Sequence, residues 1–207
     1  MEFIWIRHGM TKGNREKRYV GGRTDEGLCA QGRQALEEMR GRNLYPEADR
    51  VYISPMKRCL ETAAILYPDR EGRIVEGFRE CDFGLFENKN DEELSPLPFY
   101  RDWVNGNGKA PFPEGEDPKA FKRRCWQTLI HLMAREEMPG KTAFVVHGGV
   151  IMAVLSGLCE ERKDFYAYYT DNGGGYTCTV DMTTGGLVLR HCRKLFETES
   201  NQIPGKL

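Results

Sequence analysis

The 207-residue sequence predicts an α/β protein in which helices cover both faces of an open, mostly parallel sheet. Three observations favour this class. Strand patterns alternate with helix patterns, the first strand is apolar throughout as in parallel sheets, and the length fits one domain. Hydrophobic residues make up 40% and charged residues 29%, ordinary values for a globular chain. A single folded domain spanning residues 1–207 is therefore expected.

The first half of the chain alternates between short strands and helices. Strands are predicted at 3–6, 51–53 and 73–75, and helices at 30–42 and 55–66. Ser54 is expected to cap the second helix, because Pro55 suits a first helical turn.

The second half begins with a segment, 85–116, where periodicity fades and Pro, Gly and Asn accumulate. This pattern indicates an irregular cap insertion with short helices. A long helix is predicted at 118–137, a strand at 141–146, and a helix from there through 155. Two late strands, near 176–181 and 187–192, flank a hairpin-turn pattern at 183–186, and the last residues are expected to form a mobile tail.

Charge and cysteine content exclude several classes of protein. The formal net charge of -1 argues against broad binding to nucleic acid or an anionic membrane, so neither partner is expected. The seven cysteines form no C-x-x-C pair and no zinc-ligand spacing, which predicts reduced thiols, no metal and a cytoplasmic location. The N-terminus has only a four-residue apolar run and is predicted to be neither a signal peptide nor a membrane span.

Three polar motifs follow predicted strands, where the ligands of open α/β sheets bind. They are Arg7-His8-Gly9, Ser54-Pro55-x-x-Arg58 and His147-Gly148-Gly149. Each alone has an ordinary explanation: a structural histidine, a solvated arginine or a glycine turn. Together they predict a compact cationic site, because guanidinium groups, helix N-termini and glycine backbone all suit a phosphate dianion.

A histidine in such a site can also act as a nucleophile. Near its usual pKa the imidazole is largely neutral at pH 7, so His8 can attack phosphorus and form a covalent intermediate. Arg7, Arg58 and His147 would stabilise the transferring group. The leaving alkoxide needs a proton, and the residues alone leave three candidate donors open: Glu80, Asp82 and Glu87.

Four motifs follow one another in order between residues 2 and 157. They are Arg7-His8-Gly9-x-Thr11-x-x-Asn14, Ser54-Pro55-x-x-Arg58-x-x-x-Thr62-Ala63, Glu80-x-x-Phe83-Gly84-x-Phe86-Glu87 and His147-Gly148-Gly149. Together they resemble the histidine phosphatase superfamily, the phosphoglycerate mutase-like group. The resemblance implies a three-layer α/β/α sandwich with a small cap, and a reaction without cofactor or metal. It also implies a phosphoacceptor (His8), a proton donor (Glu80), a transition-state stabiliser (His147) and phosphate ligands (Arg7, Asn14, Arg58 and Gly148).

The sequence departs from the family pattern at three positions. Cys29 stands where Thr commonly follows Leu28, Asn88 where Gly commonly follows Glu87, and Asp117 where Ser is common. None removes a catalytic group. The preceding residues 113–116 read Pro-Glu-Gly-Glu and resemble the Pro-x-Gly-Glu element of the phosphatase branch.

The cap composition favours a phosphatase over a mutase. Residues 85–116 hold three basic side chains (Lys89, Arg101, Lys109) against seven acidic ones, although most of these charges can simply face solvent. Five cap aromatics could stack on a ring-bearing leaving group or form the cap's own core: Phe86, Phe99, Tyr100, Trp103 and Phe112. The expected substrate is a small phosphomonoester such as α-ribazole 5'-phosphate, or a broad range of them. The expected assembly is a monomer or homodimer, with a mutase or a non-catalytic phosphate-binding module as alternatives.

Overall fold

A six-stranded sheet organises the chain, in the strand order β3-β2-β4-β1-β5-β6. The computed structural model describes residues 1–106, 110–136, 138, 140–183 and 186–196. The strands are β1 (Glu2–Arg7), β2 (Arg50–Ile53), β3 (Gly72–Ile74), β4 (Lys141–Val146), β5 (Gly175–Thr183) and β6 (Gly186–Lys194). The helices are α1 (Lys12–Arg15), α2 (Ala30–Gly41), α3 (Lys57–Leu66), α4 (Asp91–Leu94), α5 (Pro98–Asn105), α6 (Pro118–Arg135) and α7 (Gly148–Leu158).

The sheet is mostly parallel, as predicted. β1, β4, β2 and β3 run in one direction, whereas β5 pairs antiparallel with β1 and β6 pairs antiparallel with β5. Arg7 pairs with Val146, and Ile53 pairs with Val145, so the carboxyl ends of three strands meet at one edge. The residues that follow these strands are therefore brought together there.

Alternate residues of the central strands point to opposite faces of the sheet, as the strand period of two requires. Phe3 and Trp5 of β1 pack with Phe144 on the face covered by α6 and α7. Ile4 and Ile6 pack with α2 and α3 on the other face. All four β1 side chains are fully buried. The predicted α/β sandwich is confirmed. Among the described residues, no helix combines the length and apolarity needed to cross a bilayer.

The cap segment has its own aromatic core. Phe86 lies 5.2 Å from Trp103 and 5.5 Å from Phe112, measured between ring centroids, and Phe99 and Tyr100 contact it as well. Phe86 is fully buried, and Trp103 is 5% exposed. These rings pack on one another, so the structure favours the structural explanation over stacking on a leaving group.

The late strands and the long helix differ slightly from the predicted bounds. β5 and β6 each extend beyond the predicted ranges, while the turn residues Thr184 and Gly185 lie outside the described residues. α6 ends at Arg135, and Glu137 is likewise outside the described part, as is the predicted tail from 197 onward.

One expectation about the cysteines is wrong. The structure pairs Cys159, at the end of α7, with Cys192 on β6 as a disulfide. β6 passes directly beside the residue that ends α7, since Cys159 forms a bridge to Leu189. Sequence spacing of 33 residues gave no sign of this contact. The other five cysteines are free.

Candidate active site

Two histidines meet at the carboxyl ends of the central strands. His8 follows β1 and His147 follows β4, directly after the paired residues Arg7 and Val146. The backbone N–H of His8 donates to the Val146 carbonyl over 2.9 Å. The two imidazole rings lie edge to face, with centroids 5.2 Å apart. Sheet register therefore brings the predicted nucleophile beside its predicted partner.

The His8 ring is held in one neutral tautomer. Its Nδ1 lies 2.8 Å from the Gly9 carbonyl oxygen, and because a carbonyl only accepts, Nδ1 carries the proton. Nε2 then keeps its lone pair. Burial, and after it the charges of Arg58 and Arg7, holds the pKa of His8 well below its usual value. His8 is therefore a neutral imidazole at neutral pH, with Nε2 unprotonated.

The His147 ring is fixed by a donor on one side and a hydroxyl on the other. Arg58 Nε donates to Nδ1 over 3.3 Å, so Nδ1 is unprotonated. Nε2 carries the proton and donates to Ser54 Oγ over 2.7 Å. All three side chains are fully buried. Burial, followed by the Arg58 charge, holds the pKa of His147 well below its usual value, so this ring is also neutral.

Ser54 has a different role from the predicted one. α3 begins at Lys57, and its N-cap residue is Met56, which makes no side-chain cap bond. Strand pairing continues past β2, since the Ser54 N–H donates to the Val145 carbonyl over 3.1 Å. The Ser54 hydroxyl is therefore held at the sheet edge, where it bonds His147 instead of capping the helix.

Arg58 lies at the centre of the site with no exposed surface. Its Nη1 donates to the Thr24 carbonyl over 2.7 Å, and its Nη2 donates to the Gly21 carbonyl over 3.1 Å. Glu87 holds that loop, because it accepts hydrogen bonds from the Gly21 N–H and the Thr24 hydroxyl. With the bond to His147, three of the five guanidinium N–H groups are engaged and two remain for an anion.

Arg7 also retains unused donors. Its Nη1 donates to the Thr170 carbonyl over 2.8 Å, and its guanidinium carbon lies 5.6 Å from the centroid of the Tyr169 ring. Its Nε is buried and has no hydrogen-bond partner in the described part of the chain. A Cβ atom on Gly148 would come within 3.4 Å of that Nε, so the start of α7 lies against this guanidinium.

The amide of Asn14 is oriented by its neighbours. Its Oδ1 accepts from the Thr11 N–H over 3.3 Å and from Asn172 Nδ2 over 3.0 Å. Asn172 Nδ2 also donates to the His8 carbonyl over 3.1 Å and lies 3.4 Å from the Gly9 carbonyl. Because Oδ1 is used twice, the Asn14 NH₂ group is the end left for a ligand.

Two supporting residues were missed or given no role in the sequence analysis. Asn172 binds the loop after β1, and the Thr62 hydroxyl accepts from the Gly9 N–H over 2.9 Å. Thr62 lies in the second motif. Asn172 precedes a run of glycines, and this turn composition is a weak signal that does not reveal a partner more than 160 residues away.

Glu80 is the buried carboxyl of the third motif, with 7% of the residue exposed. Its Oε1 accepts from the Cys81 N–H over 2.9 Å and its Oε2 from the Gly149 N–H over 3.1 Å. Burial raises the pKa of Glu80, and these bonds and the charge of Arg58 only partly oppose it. Gly149 must be glycine for this contact, because a Cβ there would collide with Oε1.

The other two candidate donors are engaged elsewhere. Asp82 forms an ion pair with Arg23 at 2.8 Å and accepts from the Gly84 N–H. Glu87 binds the loop that carries the Arg58 partners. Of the three acids, Glu80 alone bonds to the helix that starts beside His147.

The three departures from the family pattern are accommodated locally. Cys29 is the N-cap of α2, where its sulfur accepts from the Gly32 N–H. Asp117 is the N-cap of α6 and accepts from two backbone N–H groups. Asn88 has a φ of 57°, in the left-handed region that favours glycine and that asparagine tolerates better than most residues. At each of the three positions, the residue present is therefore compatible with the local backbone conformation.

Among the described residues, no group of three or more His, Cys, Asp or Glu side chains is arranged to hold a metal ion. The donors that converge at the strand ends are arginine, amide and backbone N–H groups. Such a set suits an oxyanion.

Comparisons with known proteins identify the family and the fold. Residues 3–193 match the family model of the histidine phosphatase superfamily (branch 1). The chain is 31% identical over 189 residues to agropine synthesis reductase from Rhizobium rhizogenes, covering 83% of this chain and 38% of that protein. This chain thus spans well under half the length of that relative.

Two solved structures share the fold. α-Ribazole phosphatase from Shigella flexneri has a TM-score of 0.79 and 22% identity, covering 97% of this chain and 100% of that one. A mutant of phosphoserine phosphatase from Entamoeba histolytica, in complex with phosphoserine, has a TM-score of 0.74 and 27% identity. That alignment covers 92% of this chain and 95% of the other.

Proposed function

The chain belongs to the histidine phosphatase superfamily (branch 1), and we propose that it hydrolyses a small-molecule phosphomonoester through a phosphohistidine at His8. One observation carries the proposal. The Nδ1–H of His8 is bonded to the Gly9 carbonyl, which leaves an unprotonated Nε2 beside the buried Arg58 and the half-buried Arg7. Anion-binding groups and a nucleophile lone pair therefore share one site.

In the first step Nε2 of His8 attacks phosphorus, and the bond from phosphorus to the ester oxygen breaks. The electron pair of that bond goes to the leaving oxygen, which takes the proton of the Glu80 carboxylic acid. In the second step water attacks the phosphorus, its proton passes to the Glu80 carboxylate, and the P–N bond breaks to release phosphate. The raised pKa of Glu80 supports both roles, because it keeps the acid form populated nearer neutral pH.

The phosphoryl oxygens would be bound by the groups that retain free donors. These are the two unused N–H groups of Arg58, the Arg7 guanidinium, the Asn14 NH₂ and the backbone at Gly148. His147 would assist once it gains a proton, since a bound dianion raises the pKa of a neighbouring imidazole. Preoriented donors of this kind stabilise developing charge strongly.

The charges in the cap favour hydrolysis over a mutase reaction, in which the phosphoryl group would return to a carboxylated substrate. Lys89 donates to the Leu85 carbonyl over 2.9 Å, and Arg101 is exposed; the third basic residue, Lys109, lies outside the described residues. Among the described cap residues, neither of these two cations forms a hydrogen bond or ion pair with a residue of the candidate site. We therefore propose a phosphatase acting on phosphomonoesters with little negative charge on the leaving group. α-Ribazole 5'-phosphate and a broad range of simple esters are the first substrates to test.

Trapping the intermediate tests the proposal and separates an enzyme from a phosphate-binding module. The chain is incubated with a ³²P-labelled phosphomonoester and quenched with detergent at alkaline pH, where a P–N bond survives. Label that is stable to alkali and lost in acid is expected on the native chain and on His131→Gln, an exposed histidine on α6. It should be absent from His8→Ala. An unlabelled native chain that still binds phosphate would contradict the proposal.

A second measurement separates phosphatase from mutase. With 3-phosphoglycerate, whose leaving group is negatively charged, slow release of free phosphate is expected and no 2-phospho isomer. Accumulation of the 2-phospho isomer without phosphate release would show that the covalent group returns to the substrate, and would overturn the assignment to hydrolysis.

A further inference from the structure

We infer that Arg124, on α6 and outside all four motifs, is a positioning residue for Glu80. The inference rests on the proposed function, because it concerns delivery of the proton to the leaving group. Glu80 lies in an irregular segment between a short 3₁₀ turn, Glu76–Phe78, and the cap. Such a segment lacks the backbone bonds of a helix or strand, so other groups must fix the carboxyl in place.

Arg124 supplies hydrogen bonds to the segment before Glu80. Its Nη1 donates to the carbonyls of Gly77 and Arg79, each over 2.9 Å, and its Nη2 lies 3.5 Å from the Glu80 carbonyl. One planar guanidinium therefore contacts three carbonyls within four residues. A lysine ammonium is a single point of charge and cannot span the same set.

Glu116 fixes the guanidinium from the other side. Arg124 Nε donates to Glu116 Oε1 over 2.9 Å, and Nη2 donates to Oε2 over 2.7 Å, a two-bond pairing. The Glu116 N–H donates in turn to the Asp82 carbonyl over 2.8 Å. The pair of Arg124 and Glu116 thus binds the backbone on both sides of Glu80.

The pair of Arg124 and Glu116 matters for the reaction because proton transfer from Glu80 depends on short distances. The Glu80 carboxyl is aligned by bonds of 2.9 and 3.1 Å to the N–H groups of Cys81 and Gly149. A shift of the segment by about 1 Å would break hydrogen-bond contact with a leaving oxygen, and misplacement of that size can cost about 10²-fold in rate. Arg124 contacts carbonyl oxygens and Glu116 rather than the Glu80 carboxyl, so its effect on the reaction passes through Glu80.

The test compares leaving groups in Arg124→Lys. An alkyl ester such as glycerol phosphate needs a proton on its leaving oxygen, whereas p-nitrophenolate leaves readily as an anion. We expect kcat/KM, which reports only the steps up to release of the leaving group, to fall by about 10–10²-fold on the alkyl ester, with kcat/KM on p-nitrophenyl phosphate little changed. Retained aryl phosphatase activity also shows that the variant is folded. Equal losses on both esters would overturn the inference, because a general structural defect does not distinguish leaving groups.

A double-mutant cycle makes the dependence on Glu80 explicit. Glu80→Gln alone should lose roughly 10²–10⁴-fold on the alkyl ester, and adding Arg124→Lys to it should cost little more. Independent effects would instead multiply, and that result would overturn the inference. Arg190→Lys is the matched control, since Arg190, on β6, likewise forms ion pairs with carboxylates, in its case those of Asp181 and Glu160. It should leave the ratio of the two rates unchanged.

Measurements on the wild-type chain show whether a negative result counts against the proposed function or only against the role of Arg124. If it forms no phosphohistidine and hydrolyses neither ester, the proposed function is wrong and the positioning inference falls with it. If it does both, and Arg124→Lys shows no preference for the aryl ester, the inference alone is wrong.

Discussion

The side-chain amide of Asn172 provides a direct test of how the loop after β1, which carries His8, is held in place. Its Nδ2 faces three acceptors: the His8 carbonyl at 3.1 Å, Asn14 Oδ1 at 3.0 Å and the Gly9 carbonyl at 3.4 Å. Asn172→Ala removes the donor, whereas Asn172→Asp keeps the shape and places an oxygen where the donor was. If the contacts are as described, the isosteric change should be the more harmful one.

The magnitudes follow from the hydrogen bonds lost. Two well-formed bonds contribute about 0.5–1.5 kcal/mol each, so Asn172→Ala should lower the free energy of unfolding by about 1–3 kcal/mol. Asn172→Asp loses the same bonds and turns an anion toward three oxygens, which should cost at least about 1 kcal/mol more. The new carboxylate also lies beside the proposed phosphate site. We therefore expect inorganic phosphate to inhibit this variant about tenfold less strongly, equivalent to about 1.4 kcal/mol.

Urea unfolding at pH 7 measures the first effect, and the inhibition constant of phosphate measures the second. Asn90→Asp is the matched control. Asn90 Oδ1 accepts from the Glu93 N–H at the start of α4, and an aspartate caps a helix equally well. Its stability should change by no more than about 0.5 kcal/mol. If Asn172→Asp were as stable as Asn172→Ala and bound phosphate normally, the assigned direction of these bonds would be wrong.

Three further predictions concern the pH dependence of the reaction, the hydrogen bond of His147 and the independence of activity from metal ions. The acid limb of kcat/KM should lie below the usual histidine pKa of about 6.5, because burial and the charges of two arginines lower the pKa of His8. Glu80→Gln should remove the alkaline limb, since Glu80 is the proposed acid and burial raises its pKa. An acid limb above pH 7 would contradict this. Ser54→Ala should destabilise the fold by about 1–3 kcal/mol in urea because it leaves the His147 Nε2–H unpaired, whereas Ser156→Ala on α7 should change stability little. Prolonged dialysis against EDTA should leave activity intact; loss restored by a divalent cation would refute the proposed reaction.

The central strands could be predicted because their signals are local. The apolar runs at β1 and β4 match the observed strands within one residue, and the motifs that follow them share the sheet edge. Because these strands are parallel, their carboxyl ends lie at the same edge of the sheet, and so do the motifs that follow them. For the same reason the positions of His8 and His147 followed from the sequence, while the hydrogen bonds that fix their tautomers did not.

Contacts between distant parts of the chain were not predictable. Asn172 meets the loop after β1 across more than 160 residues, and Arg124 meets the Glu80 segment across about 45. Neither is marked by a motif, because an asparagine before glycines and an arginine on a helix are both common. The pairing of Cys159 with Cys192 was missed for the same reason. The prediction for Ser54 was wrong for a different reason. Serine is a common helix-capping residue, but the strand pairing of β2 continues through Ser54.

The charges of Arg58 and Arg7 act on both histidines of the site, although the proposed reaction needs opposite protonation states of the two rings. A nucleophilic imidazole must be neutral, and the charges of Arg58 and Arg7 lower the pKa of His8 to keep it so. A stabilising imidazole must carry a proton toward the phosphate, yet Arg58 occupies Nδ1 of His147 and also lowers its pKa. A dianion would offset this field and compete for the Arg58 donors, so His147 can become protonated as substrate binds. The substrate's own charge would then produce the protonation that the reaction needs, while the bond from His8 Nδ1–H to the Gly9 carbonyl keeps Nε2 unprotonated.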